Sequence, residues 1–93
     1  MTVSKSPYQY EIITKIRKLR IANNYSQTKL ASYLGISNGL VGNIESTRYS
    51  HKYTLNQINQ LAKLFHTSIS YIFTDREDAD LQTILDCFFE YDK

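Results

Sequence analysis

The sequence predicts an all-α fold, in which five helices form a compact domain and an additional amphipathic helix follows at the C-terminus. Apolar residues recur at helical spacing in six successive segments, and no alternating strand pattern competes with them. Several of these segments open with a serine or threonine that suits a helix N-cap. Hydrophobic residues make up 42% of the 93 residues, which predicts one small domain with one modest core.

The first predicted helix follows a flexible N-terminus over residues 1–6. Its apolar face is formed by Ile12, Ile13, Ile16 and Leu19. Ser6 is the expected N-cap, Pro7 takes the first helical position, and Gln9 can complete a capping box. Asn23–Asn24 should end the helix, because asparagine tolerates left-handed backbone better than other non-glycine residues.

Residues 26–45 predict two short helices joined by a tight turn. One apolar periodicity precedes Gly35 and a second follows it. Ser26 and Ser37 are the expected N-caps, and Gly35 lies where the chain needs a positive φ. Ala31 is small and faces inward, so the second helix can cross close to the first. The predicted unit is therefore helix, turn, helix.

The second of these two helices has an outer surface of low bulk. Its apolar residues at positions 40, 41 and 44 should face the core. The opposite stripe then consists of Asn38, Gly39, Gly42 and Asn43. This stripe carries no charge, and folding gives little reason to bury it.

A polar loop and two further helices complete the predicted domain. The loop covers residues 46–54, Thr54 caps a fourth helix, and a shorter fifth helix is suggested over residues 68–73. Five helices around one core are therefore expected before the C-terminal segment begins.

In spacing and residue types, the stretch SQTKLASYLGISNGLVGNIE resembles the helix-turn-helix of the phage repressor and Cro family, also called Xre-like. The resemblance covers residues 7–74 and implies a lambda-repressor-like domain that binds double-stranded DNA. It also implies a two-fold dimer that reads the major groove with the helix at 37–45.

The C-terminal segment, residues 75–93, lies outside this resemblance and predicts a sixth helix. Thr74 and Glu77 can form its capping box. Apolar side chains at helical spacing form an aromatic-rich seam that comprises Leu81, Ile84, Leu85, Phe88 and Phe89. Packing against the chain's own domain and a homodimer interface are equally open interpretations of the seam. A site for a different partner protein is the third.

The outer stripe of the helix at 37–45 supplies the candidate base readers. Asn38 and Asn43 can make bidentate contacts to adenine edges, and Ser37 can bond a base or a phosphate. Gly39 and Gly42 would let the helix backbone come close to the bases. The alternative is that the two asparagines are merely solvated.

Phosphate contacts are expected on both sides of this stripe. The resemblance implies that Gln27 places its amide and a helix N-terminus against a phosphate. Further candidates, each of which could also be an ordinary solvated side chain, are Lys29, Arg48, Tyr49, His51 and Lys52. The resemblance also places Arg20 where it can neutralise Glu45, whose carboxylate would otherwise repel DNA. Two independent surface charges are the alternative to this pair.

The charge is distributed unevenly along the chain. Residues 1–75 hold nine of the eleven Lys and Arg but three of the nine acidic residues, a net charge of +6, and residues 76–93 carry −4. A basic body with an acidic tail is typical of a domain that binds a polyanion. No apolar run approaches the roughly 20 residues of a membrane span, and residues 1–10 contain no export signal. The cytoplasm is therefore the expected location.

Catalysis has little support in the sequence. Cys87 is the only cysteine, so it has neither an internal disulfide partner nor a cluster for zinc. His51 and His66 lack a neighbouring nucleophile and the spacing of a metal pair. No enzyme activity, metal or cofactor is expected. Two functions remain: a sequence-specific DNA-binding regulator, a repressor above all, and an antitoxin-like module whose C-terminal helix binds a partner protein.

Overall fold

Six α-helices make up the computed structural model, which describes residues 5–93. They are α1 (Pro7–Ala22), α2 (Gln27–Leu34), α3 (Asn38–Glu45), α4 (Leu55–Leu64), α5 (Ile69–Thr74) and α6 (Leu81–Tyr91). No β-strand occurs among the described residues, and none of their helices is long and apolar enough to cross a lipid bilayer. The predicted all-α class is confirmed.

Local hydrogen bonds explain where the first four helices begin. The predicted N-caps are observed at Ser6, Ser26, Ser37 and Thr54. The capping box of α1 is complete, because the Gln9 backbone amide donates to Ser6 Oγ at 3.1 Å and the Ser6 backbone amide donates to Gln9 Oε1 at 2.9 Å. Gly35 ends α2 with a φ of +71°, the left-handed conformation that glycine adopts without a steric penalty.

One hydrophobic core lies between the helices. Its fully buried side chains are Ile12, Ile13, Ile16, Leu30, Val41, Ile44, Tyr53, Ile58, Leu61, Ile72 and Tyr91. Ala31 is 2% exposed on the inner side of α2, where its small side chain leaves room for α3. Each buried Leu or Ile contributes about 1.5–3 kcal/mol to folding. The core therefore holds α3 with one face inward and the other free.

The N-terminal end of α1 is anchored to a distant part of the chain. Residues 1–4 of the expected flexible segment lie outside the described residues. Lys5 is buried, and its Nζ donates to backbone carbonyls 38 to 44 residues further along the chain. Lys5 and Ser6 are thus held in place, because one bonds to remote carbonyls and the other caps α1.

The helix α6 begins later than predicted. The capping box of Thr74 and Glu77 is wrong, since Thr74 is the last residue of α5. Asp75 follows with a φ of +61° and turns the chain away from the helical path. Asp80 caps α6 instead, and its carboxylate accepts a backbone amide of the first turn at 2.8 Å. Residues 75–80 therefore form a connection, and the helix comes after it.

One face of α6 packs on the domain. Ile84 and Cys87 are half-buried against the core, and Tyr91 is 1% exposed. The Tyr91 hydroxyl donates to the backbone oxygen of Tyr53 at 2.8 Å, and Gln9 Nε2 donates to the backbone oxygen of Tyr91 at 2.7 Å. Tyr91 is therefore the main anchor of α6, although no spacing argument singled it out in the sequence.

The other face of α6 is open. Leu81 is 72% exposed, Phe89 is 62% exposed and Leu85 is 38% exposed. We call these three residues the α6 stripe; half-buried Phe88 lies beside it. The predicted seam thus divides between two faces, with Ile84 on the packed side and the α6 stripe on the solvent side.

Two buried tyrosines allow a matched test of the packing of α6. Tyr91→Phe should lower the free energy of unfolding by about 1–2 kcal/mol, because the bond to the Tyr53 carbonyl is lost. Tyr53→Phe should leave stability unchanged or raise it, because the buried Tyr53 hydroxyl has no hydrogen-bond partner among residues 5–93. Urea unfolding of the two variants measures the difference. A larger loss for Tyr53→Phe than for Tyr91→Phe would contradict this account.

Candidate nucleic-acid interface

The helix α3 turns one face inward and leaves the other open. Val41 and Ile44 are at most 1% exposed. The α3 ridge, as we call it, consists of the N-cap Ser37 and, on the opposite face of the helix, Asn38, Gly39, Gly42 and Asn43. The first three of these residues are exposed and the last two are half-buried. The helix α3 and its N-cap thus present all five candidate base readers along one accessible edge.

The two glycines of the α3 ridge are not needed for packing. A Cβ atom at Gly39 would meet nothing within 4 Å, and one at Gly42 would have Gln27 Oε1 as its nearest neighbour at 3.7 Å, an ordinary contact. Alanine would therefore fit at both positions. Each glycine lowers helix stability by about 1 kcal/mol relative to alanine. Folding gives no reason for this cost.

A buried carboxylate at the C-terminal end of α3 joins three helices. The Glu45 side chain is 4% exposed. Arg20 donates two hydrogen bonds to this carboxylate, from Nε to Oε2 at 2.8 Å and from Nη2 to Oε1 at 2.9 Å. Gln27 Nε2 adds a third bond to Oε1 at 3.0 Å. Bidentate guanidinium bonds neutralise the charge, so the one acidic residue of α3 is removed from the outer surface.

Gln27 was predicted to meet a phosphate with both its side-chain amide and the backbone amides at the start of α2. Its side-chain amide uses one of its two N–H donors to bond Glu45 within the chain. The backbone amides of Gln27 and Thr28, in the first turn of α2, donate to no group among residues 5–93. Unpaired amides in a first turn form a natural anion site.

The loop after α3 carries three exposed candidates. Arg48, Tyr49 and His51 all face solvent, and the rings of Tyr49 and His51 lie 5.8 Å apart. This loop is tied to the end of α3 by Lys5, whose ammonium donates to the backbone oxygens of Asn43, Ser46 and Tyr49. Sequence reasoning missed Lys5, since nothing local indicates its partners.

Two of the predicted lysines have partners within the chain. Lys29 is exposed and its Nζ lies 4.3 Å from the centre of the Tyr25 ring, a cation–π contact. Lys52 Nζ donates to the backbone oxygen of Tyr91 at 3.3 Å and lies 3.8 Å from Asp92 Oδ1. The Lys52 ammonium therefore belongs to the C-terminal end of α6, apart from the other candidates.

Breaking the Glu45 cluster should damage folding far more than an ordinary surface change. Glu45→Gln should lower the free energy of unfolding by about 3–5 kcal/mol, because it leaves the buried Arg20 charge without its counter-ion. Glu90→Gln is the matched control, since Glu90 is exposed and pairs with Lys93 on the surface, where a change of about 0.5 kcal/mol or less is expected. Urea unfolding measures both. Equal effects of the two substitutions would contradict the proposed importance of the buried pair.

Of three comparisons with known proteins, one found a match. No curated protein and no solved structure matches the chain. A helix-turn-helix family model matches residues 16–72, which is more than half of the chain and includes α2, Gly35 and α3. This match confirms the resemblance seen in the sequence. The chain therefore belongs to the Cro/C1-type, Xre-like helix-turn-helix family of DNA-binding regulators.

Proposed function

We propose that this protein is a sequence-specific transcriptional repressor that places α3 in the major groove of double-stranded DNA. The α3 ridge carries the proposal, because the groove admits one α-helix and a polar face of low bulk can enter deeply. The neutralised Glu45 supports it as well. A free carboxylate at the end of a helix that faces DNA would repel the phosphates.

Base reading in this proposal centres on the start of α3. Asn38 is exposed in the first turn, the part of a recognition helix that contacts base edges in helix-turn-helix proteins. Its amide can bond the N6 and N7 atoms of adenine together. The open space over Gly39 and the absence of a side chain at Gly42 let the backbone approach the bases, which accounts for the stability that these glycines cost. Asn43 is the second reader, and Ser37 contacts a base or the adjoining phosphate.

Phosphate contacts in this proposal come from both sides of the ridge. The unpaired amides of Gln27 and Thr28 bind one phosphate at the N-terminus of α2. Arg48, Tyr49 and His51 contact DNA phosphates from the loop after α3, and Lys29 adds charge from the first turn of α2. Lys52 is left out, because its ammonium is engaged with α6.

The mechanism needs no chemical step. A small domain that occupies an operator blocks access of polymerase to the promoter, and this requires neither a catalytic group nor a cofactor. The proposed site of action is the cytoplasm, where a bacterial or phage operator would be found.

Two substitutions separate base reading from phosphate binding. Asn38→Ala should cost about 1–3 kcal/mol at the selected site and little on random duplexes, because it removes contacts to bases only. Arg48→Ala should weaken binding to every duplex and reduce the slope of log affinity against log salt by about 1. Both are measured by titration at several salt concentrations, after selection of the preferred site from a random pool.

Thr83→Ala and Arg76→Ala are the controls, since both residues are exposed and lie in the C-terminal segment, outside the ridge and its flanking loop. They should change neither specificity nor the salt slope. Equal losses for Asn38→Ala on selected and random DNA would refute base reading by Asn38. A wild-type protein that binds no duplex even at low salt would refute the proposed function.

In this proposal two copies bind a two-fold symmetric operator and pair through the α6 stripe. The three residues lie at i, i+4 and i+8, so they form one row along the helix. Antiparallel pairing about a two-fold axis at Leu85 would set Leu81 of one copy against Phe89 of the other. The two α3 helices would then enter successive major grooves about 34 Å apart.

A second candidate function uses the same surface. In an antitoxin-like protein the α6 stripe would bind a different protein, and DNA binding would be secondary. The exposure of Leu81 and Phe89 favours an occupant of either kind, because large apolar side chains gain free energy when they leave water. The oligomeric state of the purified protein distinguishes the two candidates.

The double variant Leu85→Ser with Phe89→Ser tests the pairing. The wild-type protein should sediment as a dimer and the variant as a monomer with an unchanged fold, because both changes lie on the solvent side of α6. Thr83→Ser, at an exposed polar position on the side of α6 away from the stripe, should leave the dimer intact. A variant that sediments like the wild type would show that another surface forms the dimer. A wild-type monomer, with and without operator, would favour the antitoxin-like alternative.

A further inference from the structure

We infer that Lys5 is a positioning residue for DNA binding: its ammonium fixes the C-terminal end of α3 and the loop that presents Arg48 and Tyr49. The inference rests on the proposed function and adds to it a residue outside the α3 ridge and outside the family match of residues 16–72. Lys5 itself need not contact DNA.

The geometry around Lys5 is that of a complete three-donor site. Its Nζ donates to the backbone oxygen of Ser46 at 2.6 Å, to that of Tyr49 at 2.6 Å and to that of Asn43 at 3.3 Å. An ammonium group has three hydrogen-bond donors, so all three are used. No carboxylate lies within 4 Å of it among residues 5–93. This buried charge is therefore compensated by backbone carbonyls.

Two of the carbonyls that Lys5 binds lie at the C-terminal end of α3, which is the negative end of the helix dipole. Aligned peptide dipoles leave a partial charge of about −0.5 at a helix C-terminus. Asn43 lies in the last turn of α3 and Ser46 is its C-cap. Lys5 brings a full positive charge to this end, which lies next to the loop that faces the phosphates in the proposed complex. The charge thus reduces a local repulsion of DNA.

Lys5 also restrains the loop mechanically. Residues 47–50 are exposed, and local bonds fold them only as a short turn: the Ser46 amide donates to the Asn43 oxygen, and the Arg48 amide donates to Ser46 Oγ. Within the described chain, the long-range hydrogen bonds to residues 46–50 come from Lys5. Without them, Arg48 and Tyr49 would have to be ordered at the moment of binding, and that ordering costs conformational entropy.

Lys5→Met tests the inference, because it keeps an apolar stem and removes the charge and the three donors. Lys63→Met is the matched control, since it removes one charge from an exposed position on α4 outside the proposed interface. We expect Lys5→Met to bind the selected duplex at least tenfold more weakly and Lys63→Met to lose no more than about threefold. Lys5→Arg, which keeps a charged multiple donor, should restore most of the affinity.

Amide exchange in the free protein supplies a readout that is independent of DNA. In Lys5→Met the amides of Ser46 and Arg48 should exchange at least tenfold faster, while the core amides of α1 and α4 keep their protection. If Lys5→Met does not fold, the same comparison is made on Lys5→Gln in a stabilising osmolyte.

Three results would overturn the inference. These are binding by Lys5→Met equal to that of Lys63→Met, exchange that accelerates equally throughout the chain, and unchanged exchange at Ser46 and Arg48. If the wild type binds no duplex, the proposed function fails, whereas local loosening in the exchange data would still show that Lys5 holds this loop.

Discussion

The bidentate pair of Arg20 and Glu45 is the interaction on which the arrangement of the interface depends. Arg20 lies in α1 and Glu45 in α3, and Gln27 brings α2 to the same carboxylate. A buried charge that loses its partner is strongly destabilising, so these helices cannot separate without a large cost. The pair therefore fixes the position of α3 relative to α1 and α2. It also buries and neutralises the one acidic side chain of α3, which would otherwise repel DNA.

The parts of the fold that are set by near neighbours in sequence could be predicted. Ser6 and Gln9 form their capping box within one turn, and Ser26 caps α2 by accepting the Lys29 backbone amide three residues later. The turn at Gly35 depends on the positive φ of that one residue. The α3 ridge follows from helical periodicity alone. The start of α6 could not be predicted in this way, because several residues from Thr74 to Asp80 can serve as N-caps there. The left-handed turn at Asp75 decides between them.

The contacts that complete the site join residues far apart in the chain, and their side chains do not reveal their partners. Gln9 reaches the backbone oxygen of Tyr91, 82 residues away, and Lys52 turns to the same oxygen. Long flexible side chains with polar ends can bond to any carbonyl within reach. The sequence therefore placed Lys5 in a flexible terminus and Lys52 among the candidate phosphate ligands, and it indicated neither residue's contacts within the domain.

The loop that flanks the α3 ridge is fastened at both ends by residues outside the family match. Lys5 holds its beginning at Ser46 and Tyr49, and Tyr91 holds its end through the backbone oxygen of Tyr53. Removal of α6 would expose the core around Phe73, whose ring lies 6.0 Å from that of Tyr91, and would free this loop. A truncation that removes α6 would therefore not distinguish loss of the fold from loss of a binding surface. Because the α6 stripe points away from these anchors, substitutions on it can separate the two effects.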